Sequence, residues 1–92
     1  MGYNMPTLHS LPVGVQLRRR STTAWDCTNI PALKAWLLAR GYTSQPTRTS
    51  VEFARLRHGN SLIILWHNGS ICAQGSDHET AVRLLRQLEG AS

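Results

Sequence analysis

The clearest hydrophobic pattern in the chain is an uninterrupted apolar run at residues 62–66, followed by Asn68-Gly69 and a second strand-like run at residues 70–74. Asn-Gly supplies the two positive-φ residues of a type I′ turn, so the pattern predicts a β-hairpin. Because residues 62–66 are apolar at every position, we expect this strand to lie centrally in a sheet or to be covered on both faces.

Two further strands are predicted on the N-terminal side of the hairpin. Residues 13–18 alternate between apolar and polar side chains, which is typical of a half-buried strand. Residues 51–57 are also strand-like, but Phe53 shares its parity with Arg55 and Arg57. Either one face of this strand changes character along its length, or the strand contains a β-bulge.

The first predicted helix covers residues 30–40. Thr28 or Asn29 can cap its N-terminus, and Gly41 is a left-handed stop at its C-terminus. The segment that follows, residues 42–50, has turn chemistry and no core pattern, so we expect an exposed loop.

The second predicted helix begins at a capping box formed by Ser76 and Glu79 and ends at Gly90. Helices at both ends of an antiparallel meander pack together on one sheet face, so the sequence predicts a two-layer α+β fold. Its order is an N-terminal strand and then α-β-β-β-α with a three-stranded meander. The predicted core consists of Leu37, Leu62, Ile64, Trp66, Leu84 and Leu85.

The chain is long enough for one domain, which we place at residues 12–90. Residues 1–11 lack periodicity, which predicts a flexible N-terminal arm. With neither a secretory signal nor a run of transmembrane length, the sequence indicates a cytoplasmic protein that does not bind membranes, as a monomer or small homo-oligomer.

The α-β-β-β-α order over residues 30–88 resembles the double-stranded-RNA-binding domain fold, which HicA-type mRNA interferase toxins share. The resemblance implies an RNA-binding role. Where the binding family has lysines on RNA phosphates, at the start of the last helix, this chain has Ser-Asp-His-Glu at residues 76–79. The toxins are similar in Leu-Ala-Arg-Gly-Tyr at residues 38–42, but their catalytic His is replaced here by the Ser-Val-Glu of residues 50–52.

A second resemblance is to DNA readers that lay a three-stranded sheet in the major groove, which implies Arg55 and Arg57 as contacts. A solvated edge-strand face that resists aggregation is the alternative for these two side chains.

The charge balance points to an anionic partner, either nucleic acid or a protein surface. Ten basic and five acidic residues give a net charge of +5, and nine of the ten basic residues are Arg. Arginine makes planar, bidentate contacts with phosphates, guanine edges and carboxylates. Codon bias in a GC-rich genome would produce the same excess.

Catalytic and metal-binding patterns are missing from the sequence. Cys27 and Cys72 are too few for a disulfide framework and lack metal-ligand spacing. The histidines are scattered, and neither a Ser-His-Asp nor a Cys-His grouping is visible. We therefore expect a protein that is not an enzyme and holds no metal or cofactor.

The candidate contact residues are a run of three arginines, three arginines in the middle of the chain, and a tryptophan ahead of the first helix: Arg18, Arg19, Arg20, Arg48, Arg55, Arg57 and Trp25. Trp25 either stacks on a partner or packs as a hydrophobic staple onto the helix.

The sequence favours a small, non-catalytic nucleic-acid-binding module that contacts mainly the backbone of RNA or DNA. The first alternative is a protein-binding inhibitor or adaptor, of the kind that phages and mobile elements encode, acting on an anionic surface of a host or defence complex. The second alternative is a toxin of the mRNA interferase type.

Overall fold

The computed structural model describes residues 14–91, with residues 90 and 91 described by their backbone alone. The predicted arm, residues 1–11, and Val13 of the first predicted strand lie outside the described residues. The elements in chain order are β1 (Leu17–Arg19), β2 (Ala24–Cys27), α1 (Ile30–Ala39), β3 (Thr43–Gln45), β4 (Glu52–His58), β5 (Ser61–Trp66), β6 (Ser70–Gln74) and α2 (His78–Ala91).

The six strands form one antiparallel sheet in the order β1-β2-β6-β5-β4-β3. Both helices pack on the same face, α1 against β4 and β5, and α2 against β5, β6 and β1. The α+β prediction is confirmed, and so is the central position of β5 within the meander. β2 and β3 extend that meander on its two sides. No helix between residues 14 and 91 has the length and apolar character needed to cross a membrane.

The core lies between the helices and the sheet, and the odd-numbered residues of β5 point into it. Ile63 pairs with Leu56 and Ala73, and Leu65 pairs with Ala54 and Ile71. The buried residues of this core are Val15, Leu17, Trp25, Cys27, Ile30, Leu33, Leu37, Tyr42, Ala54, Leu56, Ile63, Leu65, Ile71, Ala73, Ala81, Leu85 and Leu88.

The predicted core is therefore right for the helices and only partly right for β5, where Ile64 is buried but lies outside the helix-side cluster. Leu37 and Leu85 are fully buried, and Leu84 packs half-buried against the same cluster. The even-numbered β5 residues expected in the core lie on the opposite face of the sheet: Leu62, Ile64 and Trp66. When every position of a strand is apolar, the sequence does not show which alternate residues face the core.

The hairpin at Asn68-Gly69 is present, but its turn is not of type I′. Gly69 has φ +95°, whereas no described residue other than glycine has a positive φ. The Gly69 N–H donates to the Trp66 carbonyl (3.0 Å), and the Ser70 N–H donates to Asn68 Oδ1 (3.0 Å). A turn of three residues closed by a left-handed glycine is the next most common way to join two antiparallel strands.

β4 contains a β-bulge, which is one of the two alternatives that its sequence allowed. The register with β5 shifts between Glu52 and Ala54, so Phe53 is the extra residue. Phe53 lies on the helix side, where the Lys34 ammonium sits 5.4 Å from its ring centre. The bulge thus brings Glu52 and Arg55 to one face of the sheet, although they are three residues apart.

Local capping signals set three of the helix ends. Asn29 Oδ1 accepts the Ala32 N–H (3.1 Å), and Gly41 follows α1 with φ +96°. α2 begins at His78, so Asp77 holds the cap position predicted for Ser76. The Thr80 hydroxyl donates to Asp77 Oδ2 (2.7 Å).

The segment 42–50, expected as an exposed loop, contains the edge strand β3. β3 pairs with β4 through Thr43, Ser44 and Gln45, and Tyr42 is buried with its ring 5.2 Å from that of His58. The loop prediction was wrong because this three-residue edge strand is formed by pairing with its neighbour β4, which its own polar sequence does not indicate.

Candidate binding face of the sheet

One face of the sheet is packed against neither α1 nor α2, and we call it the helix-free face. The strand registers assign its members, which alternate with core residues: Arg18, Ala24, Asp26, Thr43, Gln45, Glu52, Arg55, Arg57, Leu62, Ile64, Trp66, Ser70, Cys72 and Gln74.

A buried ion pair stands at the middle of β4 on this face. Arg55 Nη1 donates to both oxygens of Glu52, at 3.1 and 3.2 Å, and each residue is 8% exposed. Both interpretations of Arg55 from the sequence, a partner contact and a solvated edge-strand face, expected an exposed side chain, and this is a correction: Arg55 is buried and its charge is matched by Glu52. The cross-strand neighbour of Arg55 is Ile64, which is 2% exposed.

Glu52 also ties the segment between β3 and β4 to the sheet. Its Oε1 accepts the Arg48 N–H at 3.3 Å, and its Oε2 accepts the Thr49 hydroxyl at 3.5 Å. Desolvation by itself raises the pKa of Glu52, but these hydrogen bonds and the Arg55 charge outweigh it and lower that pKa from its ordinary value of 4.5. The carboxylate is therefore ionised at neutral pH and holds the segment in place.

An open groove of about 480 Å³ lies on the helix-free face, where the β4–β5 turn meets the end of β6. We call it the β4–β5 groove. It brings together Arg48, Arg55 and Arg57, three of the candidate contact residues. The complete lining is Gln45, Pro46, Thr47, Arg48, Arg55, Arg57, Asn60, Ser61, Leu62, Gly75 and Ser76. This lining contains no carboxylate from the described part of the chain.

In the part of the chain that the structure describes, two of the groove's arginines form no ion pair with a carboxylate. Arg57 is exposed, and its Nε donates to the Gly59 carbonyl at 2.7 Å, which leaves both Nη groups for other acceptors. Arg48 is exposed, and within residues 14–91 its guanidinium makes no hydrogen bond or ion pair. The groove is therefore cationic.

The wall of the groove on the α2 side is fixed by contacts among three chain segments. Gly75 has φ +98°, and a Cβ added there would collide with the Asn60 carbonyl oxygen. That oxygen accepts the Asp77 N–H (3.1 Å), while the buried Ser61 hydroxyl donates to the Asp77 carbonyl (2.6 Å). Only glycine at position 75 allows the β4–β5 turn and the start of α2 to approach so closely.

The predicted run of three arginines is divided between two surfaces. Arg18 is exposed on the helix-free face, whereas Arg19 Nε lies 3.7 Å from Glu89 of α2. Arg20 Nη1 lies 3.5 Å from Asp26. Successive residues of a strand point to opposite faces, so the three side chains do not form one patch.

Arg18 and the groove occupy diagonal corners of the helix-free face. Arg18 lies four strands from Arg57 and four residues away along the strand direction. With about 4.8 Å between strands and about 3.4 Å per residue, the two positions are about 23 Å apart.

Trp25 is not a surface residue, which corrects its place among the candidate contacts. Its side chain is 0% exposed in the core, and its Nε1 donates to Glu89 Oε1 at 2.9 Å. The sequence showed Trp25 beside a possible helix cap, whereas its hydrogen-bond partner Glu89 comes from α2, near the other end of the described residues.

Gln45, Asn60 and Ser76 line the groove but were not predicted as site residues. Asn60 belongs to a turn and Ser76 to a helix start, so each has a local structural explanation that hides its position beside the arginines.

Other reactive groups do not gather on this face. Among residues 14–91 no three His, Cys, Asp or Glu side chains are placed to hold a metal ion. Burial raises the pKa of both Cys27 and Cys72, so both are thiols at neutral pH and weak nucleophiles.

No protein-family model, no curated protein and no solved structure matches this chain.

Proposed function

We propose that the protein is a non-catalytic module that binds nucleic acid with the helix-free face of its sheet. One observation carries the proposal: Arg48, Arg55 and Arg57 converge on a groove whose described lining has no carboxylate. Arginine binds phosphate through bidentate, charge-assisted hydrogen bonds.

The layout of the face supports a chain-like ligand rather than a small anion alone. Arg18 lies diagonally across the sheet from Arg57, at about 23 Å. At about 3.4 Å per nucleotide along one strand of a duplex, this distance corresponds to roughly seven nucleotides. Leu62, Trp66 and Cys72 lie on the same face, half-buried, and offer apolar surface to sugars or base faces.

The position of the histidines supports a binding role without catalysis. His58 pairs with Ser61 at one end of β5, and His67 follows the other end. Six residues of strand at about 3.4 Å each separate them by about 20 Å, too far for one acid–base pair.

Fluorescence anisotropy with labelled single- and double-stranded RNA and DNA, over a salt series, tests the proposal. We expect log affinity to fall linearly with log salt, and Arg18→Gln/Arg57→Gln to flatten the slope by about 1.4 to 1.8 units, at about 0.7 to 0.9 per phosphate. The matched control is Arg83→Gln/Arg86→Gln, which removes two exposed charges from α2 and should retain the slope.

Absence of binding at low salt would contradict the proposal, because a protein with a net charge of +5 binds phosphates most tightly there. The protein-binding alternative would then gain support from a defined complex in which the loss of affinity on mutation is concentrated in one or two side chains of this face.

A further inference from the structure

We infer that the β4–β5 groove is a phosphate site that holds a single phosphate of the bound strand. The inference rests on the proposed function for the identity of the natural ligand. It adds the specific claim that one place on the face, and not the summed charge of the protein, recognises the phosphate group.

The groove offers more guanidinium donors than its own structure uses. Within residues 14–91, Arg57 uses only its Nε, which donates to the Gly59 carbonyl, and the Arg48 guanidinium makes no hydrogen bond. Arg55, on the floor, gives Nη1 to Glu52. A guanidinium has five N–H donors in a planar fork, so Arg48 and Arg57 can each grip two oxygens of one phosphate.

Glu52 acts as a positioning residue for Arg48. By accepting the Arg48 N–H and the Thr49 hydroxyl, it fixes the backbone from which the Arg48 side chain projects. Its own charge is neutralised by Arg55 at 3.1 Å, so the carboxylate does not cancel the charge of the other two arginines.

The opposite wall supplies neutral donors on a rigid backbone. Asn60 and Ser76 are exposed residues of the groove lining. The hydrogen bond from Asp77 N–H to the Asn60 carbonyl and the close approach of Gly75 hold this wall against the β4–β5 turn. Preorganised donors bind an anion without the ordering cost that flexible side chains carry.

Titration with inorganic phosphate, followed by ¹H–¹⁵N NMR at constant ionic strength maintained with chloride, tests the inference on the intact chain. We expect saturable shifts at the Arg57 Nε–H and at the Asn60 and Ser76 amides. Arg48→Gln/Arg57→Gln should weaken phosphate binding at least tenfold, while the α2 control Arg83→Gln/Arg86→Gln leaves it unchanged. Shifts spread evenly over all exposed arginines would overturn the site.

Each variant is checked by its own NMR spectrum for folding, and Arg57→Lys provides a second test. It keeps the charge but loses the planar fork, so we expect intermediate phosphate affinity. Affinity equal to that of the unmodified protein would show that charge alone acts and would refute a built site.

Oligonucleotides then separate the inference from the proposed function. If they bind the unmodified protein and the Arg48→Gln/Arg57→Gln variant equally, the phosphate site is wrong, and nucleic acid is bound through residues outside the groove. If phosphate binds in the groove but no oligonucleotide binds, the proposed function is wrong and the site stands. Tighter binding of a 5′-phosphorylated strand than of its 5′-hydroxyl counterpart would identify a terminal phosphate, and equal binding a backbone phosphodiester.

Discussion

The two faces of this sheet are built from the same strands but are held together by different interactions. On the helix side, Ile63 and Leu65 of β5 are fully buried among apolar side chains of both helices. On the helix-free side, the residue between them, Ile64, is 2% exposed beside an arginine that is paired with a glutamate. One strand thus contributes to the apolar core and to the helix-free face by alternation alone.

The comparison separates the contacts that stabilise the fold from the contacts that fix the geometry of the candidate site. Burial of close-packed apolar side chains is the dominant favourable contribution to folding and does not depend on a particular direction. The helix side of the sheet therefore contributes most of the folding free energy. A buried ion pair adds little net stability but requires one geometry. The Glu52–Arg55 pair therefore serves mainly to fix the segment that carries Arg48.

Truncation of the core should produce the largest effect. Leu85 is fully buried and Leu84 is only half-buried, although they are adjacent on α2. We expect Leu85→Ala to lower the free energy of unfolding by about 2–5 kcal/mol, measured by urea denaturation. Leu84→Ala is the matched control and should cost less than half as much; equal costs would show that the assigned helix face is wrong.

The two tryptophans on opposite faces should respond differently to the same change. Trp25→Phe removes core volume and the hydrogen bond to Glu89, so we expect a loss of about 2 kcal/mol in unfolding free energy with unchanged nucleic-acid affinity. Trp66→Phe, on the helix-free face, should cost less stability and weaken binding. If Trp25→Phe left the free energy of unfolding unchanged and abolished nucleic-acid binding, the assignment of Trp25 to the core would be wrong.

The ion pair predicts a loss of stability in acid. Because the pKa of Glu52 is lowered in the folded protein from its ordinary value of 4.5, the unfolded chain takes up this proton first. The contribution of Glu52 is therefore complete above about pH 4.5 and is lost as the pH falls through the lowered pKa. Thermal unfolding of the unmodified protein between pH 6 and pH 3 should show this loss.

The control for the acid prediction is Glu52→Gln. At pH 6 we expect Glu52→Gln to be less stable than the unmodified protein, with a smaller loss than that caused by Leu85→Ala. The difference in stability between Glu52→Gln and the unmodified protein should narrow towards pH 3. A constant difference across this range would mean that the carboxylate charge of Glu52 is not what holds the pair.

The smallest expected effect distinguishes two of the three consecutive arginines, Arg18 and Arg19. Among residues 14–91 Arg18 makes no ion pair, although Asp26 is its cross-strand neighbour on the helix-free face, whereas Arg19 is 3.7 Å from Glu89 and belongs to the other face. Arg18→Gln should flatten the salt dependence of binding by about 0.7 to 0.9 units, equivalent to one phosphate contact. Arg19→Gln should leave the slope unchanged, and equal effects of the two substitutions would indicate a partner that surrounds β1.

Local signals in the sequence were enough to determine the class of the fold. Asn29 and Gly41 bound α1 because a side-chain cap and a left-handed glycine act within a few residues. The hairpin around Gly69 and the α+β order followed in the same way, since turn residues and hydrophobic periodicity are properties of short segments.

The tertiary structure alone decided which side chains form the candidate site. Residues 62–66 are all apolar, so only packing against the two helices determines that Ile63 and Leu65 point inward. The bulge at Phe53 turns Arg55 towards Glu52, and the hydrogen-bond partner of the buried Trp25, Glu89, lies 64 residues away in the sequence. These outcomes depend on contacts between distant segments, whose energies do not appear in any local pattern of residues.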